Sequence, residues 1–278
     1  MMRTTGIPCT VGILTYNNAT SLDQALRSVA SFAEVIVSDG GSTDGTLAIV
    51  ESYGARIIPQ RADLKNDEGR LIDFAGAMNQ LIDEAEQPWF YKLDSDEYLS
   101  ETLVAELADA LPSGANIDAF RVPFKYVVGE VVIEHASTYP ASEPRLFRIG
   151  SGLRYERPVH ERLLIDDDRT ALLVQPHLKP LPTARQVAQK WMHYLLIEMR
   201  SARGIGLDEW KANNLRRHRW SAKYLTKQYL KILRSQGRPR MPARYELLRI
   251  ANDLVAIPST AVAAMWPGRD RADLVEQG

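Results

Sequence analysis

Phe90-Tyr91-Lys92-Leu93-Asp94-Ser95-Asp96-Glu97 runs a hydrophobic strand straight into carboxylates spaced one residue apart and then stops. On an extended chain Asp94 and Asp96 point to the same side, so both converge on one hard cation or one sugar-phosphate group. A divalent ion held by one or two carboxylates, its other positions left to water and phosphate oxygens, commonly neutralises a leaving diphosphate. An acidic pair at a strand end equally suits a solvated turn ahead of a helix, so the surrounding sequence has to decide.

Two further segments in the first fifty residues have the same form. Val11-Gly12-Ile13-Leu14-Thr15-Tyr16-Asn17-Asn18 and Val35-Ile36-Val37-Ser38-Asp39-Gly40-Gly41-Ser42-Thr43-Asp44-Gly45-Thr46 each read as a buried strand breaking into a polar loop. Between them Leu22, Ala25, Leu26 and Val29 recur at helical spacing, after Ser21 and Asp23, which suit a helix start. The unit is strand, helix, strand, helix. In such alternating α/β units ligands bind at the carboxyl ends of the strands, so three polar loops are expected to share one crevice.

Taken in order, these segments resemble the family 2 glycosyltransferases of the GT-A fold. Their marks include a Thr-Tyr-Asn first loop, an Asp-x-Gly-Ser-Thr-Asp-Gly-Thr second loop and an Asp-x-Asp-Glu metal site. The resemblance covers roughly residues 9 to 195, and the ordered set is far more specific than any one member. It is closest to the short bacterial branch that builds lipopolysaccharide core and related cell-surface glycans. That branch carries a later Arg-Leu-Phe-Arg segment and a His-Glu pair, here Arg145-Leu146-Phe147-Arg148 and Val159-His160-Glu161. The implied fold class is α/β: a Rossmann-like mixed central sheet flanked by helices.

The resemblance also implies roles. Thr15, Tyr16 and Asn17 line the base and ribose, while Asp39 accepts from the base imide, which suits uracil and hence a UDP-sugar. Asp94 holds ribose and helps the Mn²⁺ or Mg²⁺, Asp96 ligates the ion, and His160 completes its shell, with His177 in reserve. Glu161 is the expected base, with Glu143 and then Glu97 as competitors. The reaction implied is an inverting displacement.

Other side chains are weighed on their own chemistry. Arg70 suits a diphosphate, since guanidinium matches phosphate oxygens bidentately, but it equally suits an exposed helix face. Asp44, with Ser42 and Thr43, sits where free amides of the next helix need a cap. The family often has a basic residue just before the Asn of the helix leading to the acidic strand. Here Ala77-Met78 precede Asn79, so cationic support for the phosphates is not assigned there.

Composition bounds the rest. The 278 residues, 45% hydrophobic and 25% charged, allow one large core plus an appended segment. Cys9 alone excludes an intramolecular disulfide and reads as a small buried apolar residue. The start, Met1 to Pro8, is too short and polar for a signal peptide, so a cytoplasmic location is expected. A nucleotidyltransferase would share the layout and the metal-diphosphate chemistry, but its glycine-rich, arginine-containing first loop is absent. A noncatalytic nucleotide-sugar-binding or scaffold protein is the other alternative.

Net charge of −1 hides an asymmetry: 20 basic against 30 acidic residues in 1–210, 12 against 1 in 211–250 and 2 against 4 in 251–278. The basic block holds Arg216-Arg217-His218-Arg219-Trp220, then Lys223, Lys227 and Lys231 at a spacing of four among Tyr224, Leu225, Tyr229 and Leu230. On a helix this is a cationic stripe beside an aromatic and aliphatic face, which suits an anionic membrane surface or a solvated helix packed on its apolar side. Aromatics among cations also suit single-stranded nucleic acid, but no such motif accompanies them, and no nucleic-acid partner is expected. Residues 254–266 are apolar but short of a membrane span, and Pro258 is expected to interrupt them. The protein is therefore expected to be peripheral at the inner face of the membrane, acting on a glycan or lipid-linked acceptor.

The remaining pattern predicts a strand at 54–58 and a helix from Leu71 to Glu86. A helix through Leu103 to Leu111 follows, then strands at 119–124 and 127–133 about a Gly129-Glu130 turn, with helices from Thr183 onward. The expected division is a catalytic domain over 1–182 and a helical, basic extension over 183–278.

Overall fold

Burial along almost the whole of β1 (Ile7–Thr15) marks it as a central strand, covered on both faces. The computed structural model describes residues 6–113, 117–157, 162–234 and 237–266. After β1 come α1 (Leu22–Ser28), β2 (Phe32–Asp39), α2 (Thr46–Ser52), β3 (Arg56–Pro59), α3 (Phe74–Asp83) and β4 (Trp89–Asp94). Then follow β5 (Tyr98–Leu99), α4 (Glu101–Ser113), β6 (Ala119–Val128), β7 (Val131–Val132) and β8 (Ser142–Arg148). Four short strands, β9 (Tyr155–Glu156), β10 (Arg162–Leu163), β11 (Thr170–Leu172) and β12 (His177–Pro180), precede the helices α5 (Ala184–Ala202), α6 (Leu207–Trp210), α7 (Arg216–Arg234) and α8 (Ala243–Met265).

The main sheet is mixed, in the order β3-β2-β1-β4-β8-β6-β12-β5. Its first four strands are parallel, and β8 then runs antiparallel to both β4 and β6. Alternate residues of the central strands feed two cores. Val11, Ile13, Trp89, Tyr91 and Leu93 pack with α1 and α4, while Ile36, Phe90 and Phe147 pack with Ala75, Met78 and Leu81 of α3. The expected mixed sheet flanked by helices, with a helical C-terminal region, is the fold observed. Cys9 is wholly buried, and burial pushes its thiol pKa up, as befits an apolar role.

Some boundaries differ from expectation. α3 starts at Phe74 and not at Leu71, because Asp73 caps it by accepting from the Gly76 N–H at 2.8 Å. β6 is one strand through Pro123 to Val128, and only Val131–Val132 returns beyond the Gly129-Glu130 turn.

The chain divides into two units, residues 1–126 with 140–180, and residues 127–139 with 181–278. The middle segment joins the helical unit through buried hydrogen bonds. Glu246 accepts from the backbone N–H of Ser137 at 2.8 Å and also from its hydroxyl, and the backbone of Met241 donates to His135. Within this unit α8 packs against α5 and α7. His218 lies between Asp253 (2.7 Å) and Glu198 (2.8 Å), and Trp210 donates to Thr260 at 2.9 Å.

α8 corrects the reading of Pro258 as an interruption, since the helix runs unbroken through it. The missing N–H leaves the carbonyl of Leu254 without its helical donor, on a residue that is exposed to water. Among the described residues α8 is the one helix long and apolar enough to cross a membrane by length and composition.

Candidate active site

The ends of the four parallel strands open onto a cavity of about 650 Å³. Each strand sends residues to its wall: Thr15 and Tyr16 from β1, Gly40 and Gly41 after β2, Gln60 after β3, and Ser95 after β4. Register makes this possible, since Thr15 stands opposite Asp39 on β2 and Leu14 opposite Asp94 on β4. The remaining wall is a hairpin-like loop carrying Arg70. There Asn66 accepts from the backbone of Glu68 and Arg70, and Arg70 pairs with Glu68 at 3.4 Å. Thr15 Oγ1 and Gln60 Oε1 are buried with no hydrogen-bond partner among the described residues. Polar atoms enclosed in this way usually serve a partner, protein or ligand.

The expected binding residues fall into two sets. Thr15, Tyr16 and Arg70 line the cavity, Tyr16 with its ring exposed. Asn17 and Asp39 build the loops around it. Asn17 adopts φ +48°, receives the Thr43 N–H on its side-chain oxygen at 2.8 Å, and donates its own N–H to Ser42 Oγ. Asp39 accepts from the amides of Gly41 and Ser42 and from the Ser42 hydroxyl, so both its oxygens are engaged within the loop. Asp44 accepts from Thr46 N at 2.9 Å, satisfying the first amide of α2. Asn79 exchanges two 2.9 Å hydrogen bonds with the backbone of Tyr155, which makes it a packing residue.

The acidic segment departs from the extended geometry expected of it. β4 ends at Asp94, and the chain turns at once, the Glu97 N–H donating to Asp94 O at 3.0 Å. Asp94 therefore stays at the sheet edge while Asp96 sits exposed on the turn. Asn18 donates to Ser95 Oγ at 2.8 Å, tying the first polar loop to this turn.

Asp94 belongs to a charge network that sequence reasoning did not assemble. Arg145 on β8, only 5% exposed, reaches Asp94 (3.0 Å), Glu97 (3.0 Å) and Glu143 (2.6 Å). Lys179 on β12 lies 3.1 Å from Glu97 and 2.8 Å from Glu143, and Lys92 lies 3.8 Å from Asp94. Burial opposes the charge of Asp94, but Arg145, Lys92 and Lys179 outweigh it and hold the carboxyl well below the usual range. Burial likewise opposes Glu143, yet Arg145 and Lys179 bring it down to about 2. With its oxygens held by two cations, Glu143 is a poor proton acceptor. His177 is wholly enclosed, with Nε2 3.4 Å from Glu97 and its ring beside Phe124, and burial lowers its pKa. Neither ring nitrogen makes a hydrogen bond among the described residues, and the ring is packed in the interior beside this network.

His160 and Glu161 lie outside the described residues. Among the described residues no group of three or more His, Cys, Asp and Glu side chains is placed to hold a metal. Asp94 and Asp96 nevertheless fit the chemistry of Mg²⁺ or Mn²⁺ in a phosphate site, where one or two carboxylates suffice and phosphate oxygens and water complete the shell.

The same region of the chain matches known proteins. A family profile described as "Glycosyl transferase family 2" matches residues 10–171. The lipopolysaccharide core biosynthesis glycosyltransferase LpsC of Rhizobium meliloti is 30% identical over 196 residues, covering 66% of this chain and 68% of that protein. The prophage-derived glycosyltransferase SunS of Bacillus subtilis is 28% identical over 153 residues, 55% of this chain but 34% of its own length. Of solved structures, S. aureus TarS aligns over 91% of this chain and 55% of that one, with a TM-score of 0.46 and 14% identity.

Proposed function

We propose that this chain, which belongs to glycosyl transferase family 2, moves a sugar from a UDP-sugar to a hydroxyl of a cell-surface or lipid-linked glycan. Family membership makes it a glycosyltransferase with a nucleotide-sugar donor. The uracil base, the stereochemistry, the ion and the acceptor are inferences. The observation that carries the donor reading is the cavity at the strand ends, where Thr15 Oγ1 and Gln60 Oε1 are enclosed without a partner among the described residues beside the exposed Tyr16 ring. A nucleotide needs a flat contact, polar groups for base and ribose, and charge at its diphosphate.

In this reading Thr15, Tyr16, Asn17 and Gln60 hold the nucleoside, and Asp39 accepts from the base imide with the carboxylate lone pair that its three loop hydrogen bonds leave open. Asp94, Asp96 and His160 would hold a Mn²⁺ or Mg²⁺, which when bound neutralises charge developing on the diphosphate. Arg70 lies on the wall where it can add a bidentate contact to phosphate. Glu161 takes the proton of the acceptor hydroxyl as its oxygen attacks the anomeric carbon. The carbon–oxygen bond to the diphosphate breaks on the opposite face, its electron pair leaving with the nucleotide, so the anomeric configuration inverts. The transition state has oxocarbenium character, as in glycoside hydrolysis.

The name of LpsC supports an acceptor of the lipopolysaccharide core. The basic block 211–250 supports work at the cytoplasmic surface of an anionic membrane, where such acceptors are assembled. Incubating the purified protein and Mn²⁺ with a panel of nucleotide sugars, and following thermal shift and slow donor hydrolysis, tests the donor without knowledge of the acceptor. Stabilisation and hydrolysis confined to UDP-sugars is the expected result. A response only to another nucleotide would overturn the uracil assignment.

A further inference from the structure

α7 and α8 enclose a groove of about 530 Å³ whose two walls differ in chemistry. On α7 the lining residues Arg219, Lys223, Lys227 and Arg234 fall within one arc of the helix, with Thr226 and Leu230 between them. None of these four cations has an ion-pair partner among the described residues. On α8 the wall is aliphatic: Ile250, Leu254 and Ile257. The carboxylates of α8 are turned away from it. Glu246 is buried against Ser137, and Asp253 is taken by His218 and Ser221, so no acidic residue lines the groove.

The apolar wall continues beyond the groove. Leu247, Leu254, Val262 and Met265 share one face of α8 and are all exposed, 51% to 60%. An aliphatic face beside unpaired cations fits a molecule that is anionic at one end and hydrocarbon at the other. Free inorganic phosphate would leave the α8 wall wet. A neutral apolar ligand would leave four cations without counter-charge. Nucleic acid would stack its bases on aromatic faces, and no aromatic residue lines the groove.

We propose that this groove seats one anionic phospholipid of the bilayer, with its phosphate among Arg219, Lys223, Lys227 and Arg234 and its first acyl methylenes on Ile250, Leu254 and Ile257. The proposal rests on the membrane-surface reading above and turns it from general charge attraction into a site with walls.

Sedimentation of the full chain with vesicles of phosphatidylcholine, alone or with phosphatidylglycerol, tests it. The wild type binds the anionic vesicles, less so as salt rises. Lys223→Gln with Lys227→Gln weakens binding about tenfold or more, from the loss of two surface cations. Thr226→Trp fills the groove while keeping every cation and adding an interface-loving ring. A groove seat requires it to bind severalfold more weakly than the wild type, whereas a flat charged surface makes it equal or tighter. Leu254→Gln, at an exposed position on the other wall, decides the matter should Thr226→Trp fail to fold by circular dichroism. A groove seat makes it severalfold weaker with an unchanged salt slope. Wild-type binding that survives both wall substitutions overturns the groove but leaves the surface reading intact. Indifference of the wild type to phosphatidylglycerol, or a tighter grip on single-stranded oligonucleotide than on vesicles, overturns both.

Discussion

Arg145 donates to Asp94 at 3.0 Å from a side chain that is almost wholly buried, so the end of β4 is held from β8 by a charge with no access to water. The same guanidinium also reaches Glu97 and Glu143. Replacing it by Met leaves the buried Glu97 short of counter-charge, a loss below the about 3–5 kcal/mol of a fully buried pair, because Asp94 and Glu143 are more than a third exposed and Lys179 still pairs with Glu97 and Glu143. Urea unfolding of Arg145→Met is expected to show that loss, with Arg145→Lys intermediate because an ammonium lacks the planar fork. Unchanged stability in both would make the network incidental.

Thr15 tests the cavity. Its hydroxyl has no partner among the described residues, so Thr15→Val should leave the fold nearly as stable while removing a polar contact to the nucleotide. Calorimetric titration with the UDP-sugar should show affinity reduced by about three- to tenfold. Equal affinity would mean that the donor does not use this wall.

Asp96 stands exposed on the turn after β4, with no part in the described core. Asp96→Ala is therefore expected to melt like the wild type yet lose donor hydrolysis by about a hundredfold or more, as chelation with EDTA should also do. Full turnover in EDTA would remove the ion from the mechanism.

His160 and Glu161 are assigned separable tasks. Glu161→Gln should keep Mn²⁺-dependent donor binding and lose transfer by about 10²–10⁴, the usual contribution of a positioned base. His160→Ala should weaken that binding itself. Equal and mild effects of both would remove the pair from the mechanism.

Acid should weaken the fold through Glu143. Its pKa falls from 4.5 to about 2 on folding, so its contribution is complete above the unfolded value and fades as pH drops from about 4.5 through about 2. Glu143→Gln should flatten that part of the stability curve, measured by denaturant midpoints between those limits. A slope identical to the wild type would assign the acid sensitivity elsewhere.

The half of the fold that carries the cavity was legible because parallel strands covered on both faces are written as apolar runs, each broken by the polar loop that becomes the site. Thr15, Tyr16 and the acidic turn are consecutive with those strands, so residue type and position coincide. The charge network was not legible. Lys92, Glu97, Glu143, Arg145 and Lys179 are scattered over the chain, and they meet because β8 returns antiparallel beside β4 while β12 joins the far side of β6. Arg145-Leu146-Phe147-Arg148 stands out as a marker, but nothing in the string says which arginine turns inward. The span of α8 was hidden for another reason: Pro258 reads as a breaker unless it is known that the carbonyl it strands belongs to an exposed residue.

The pairing of Thr15 with Asp39 and of Leu14 with Asp94 also constrains how this chain can change in length. Removing one residue inside β1 would exchange the two layers that Val11 and Gly12 face, and would pull Thr15 down a rung from its neighbours. Insertions between Asn66 and Gly69 would only reshape a wall, since that loop's hydrogen bonds are its own. Divergence toward new donors should therefore accumulate as length variation in the 66–70 loop, against strands whose residue count stays constant.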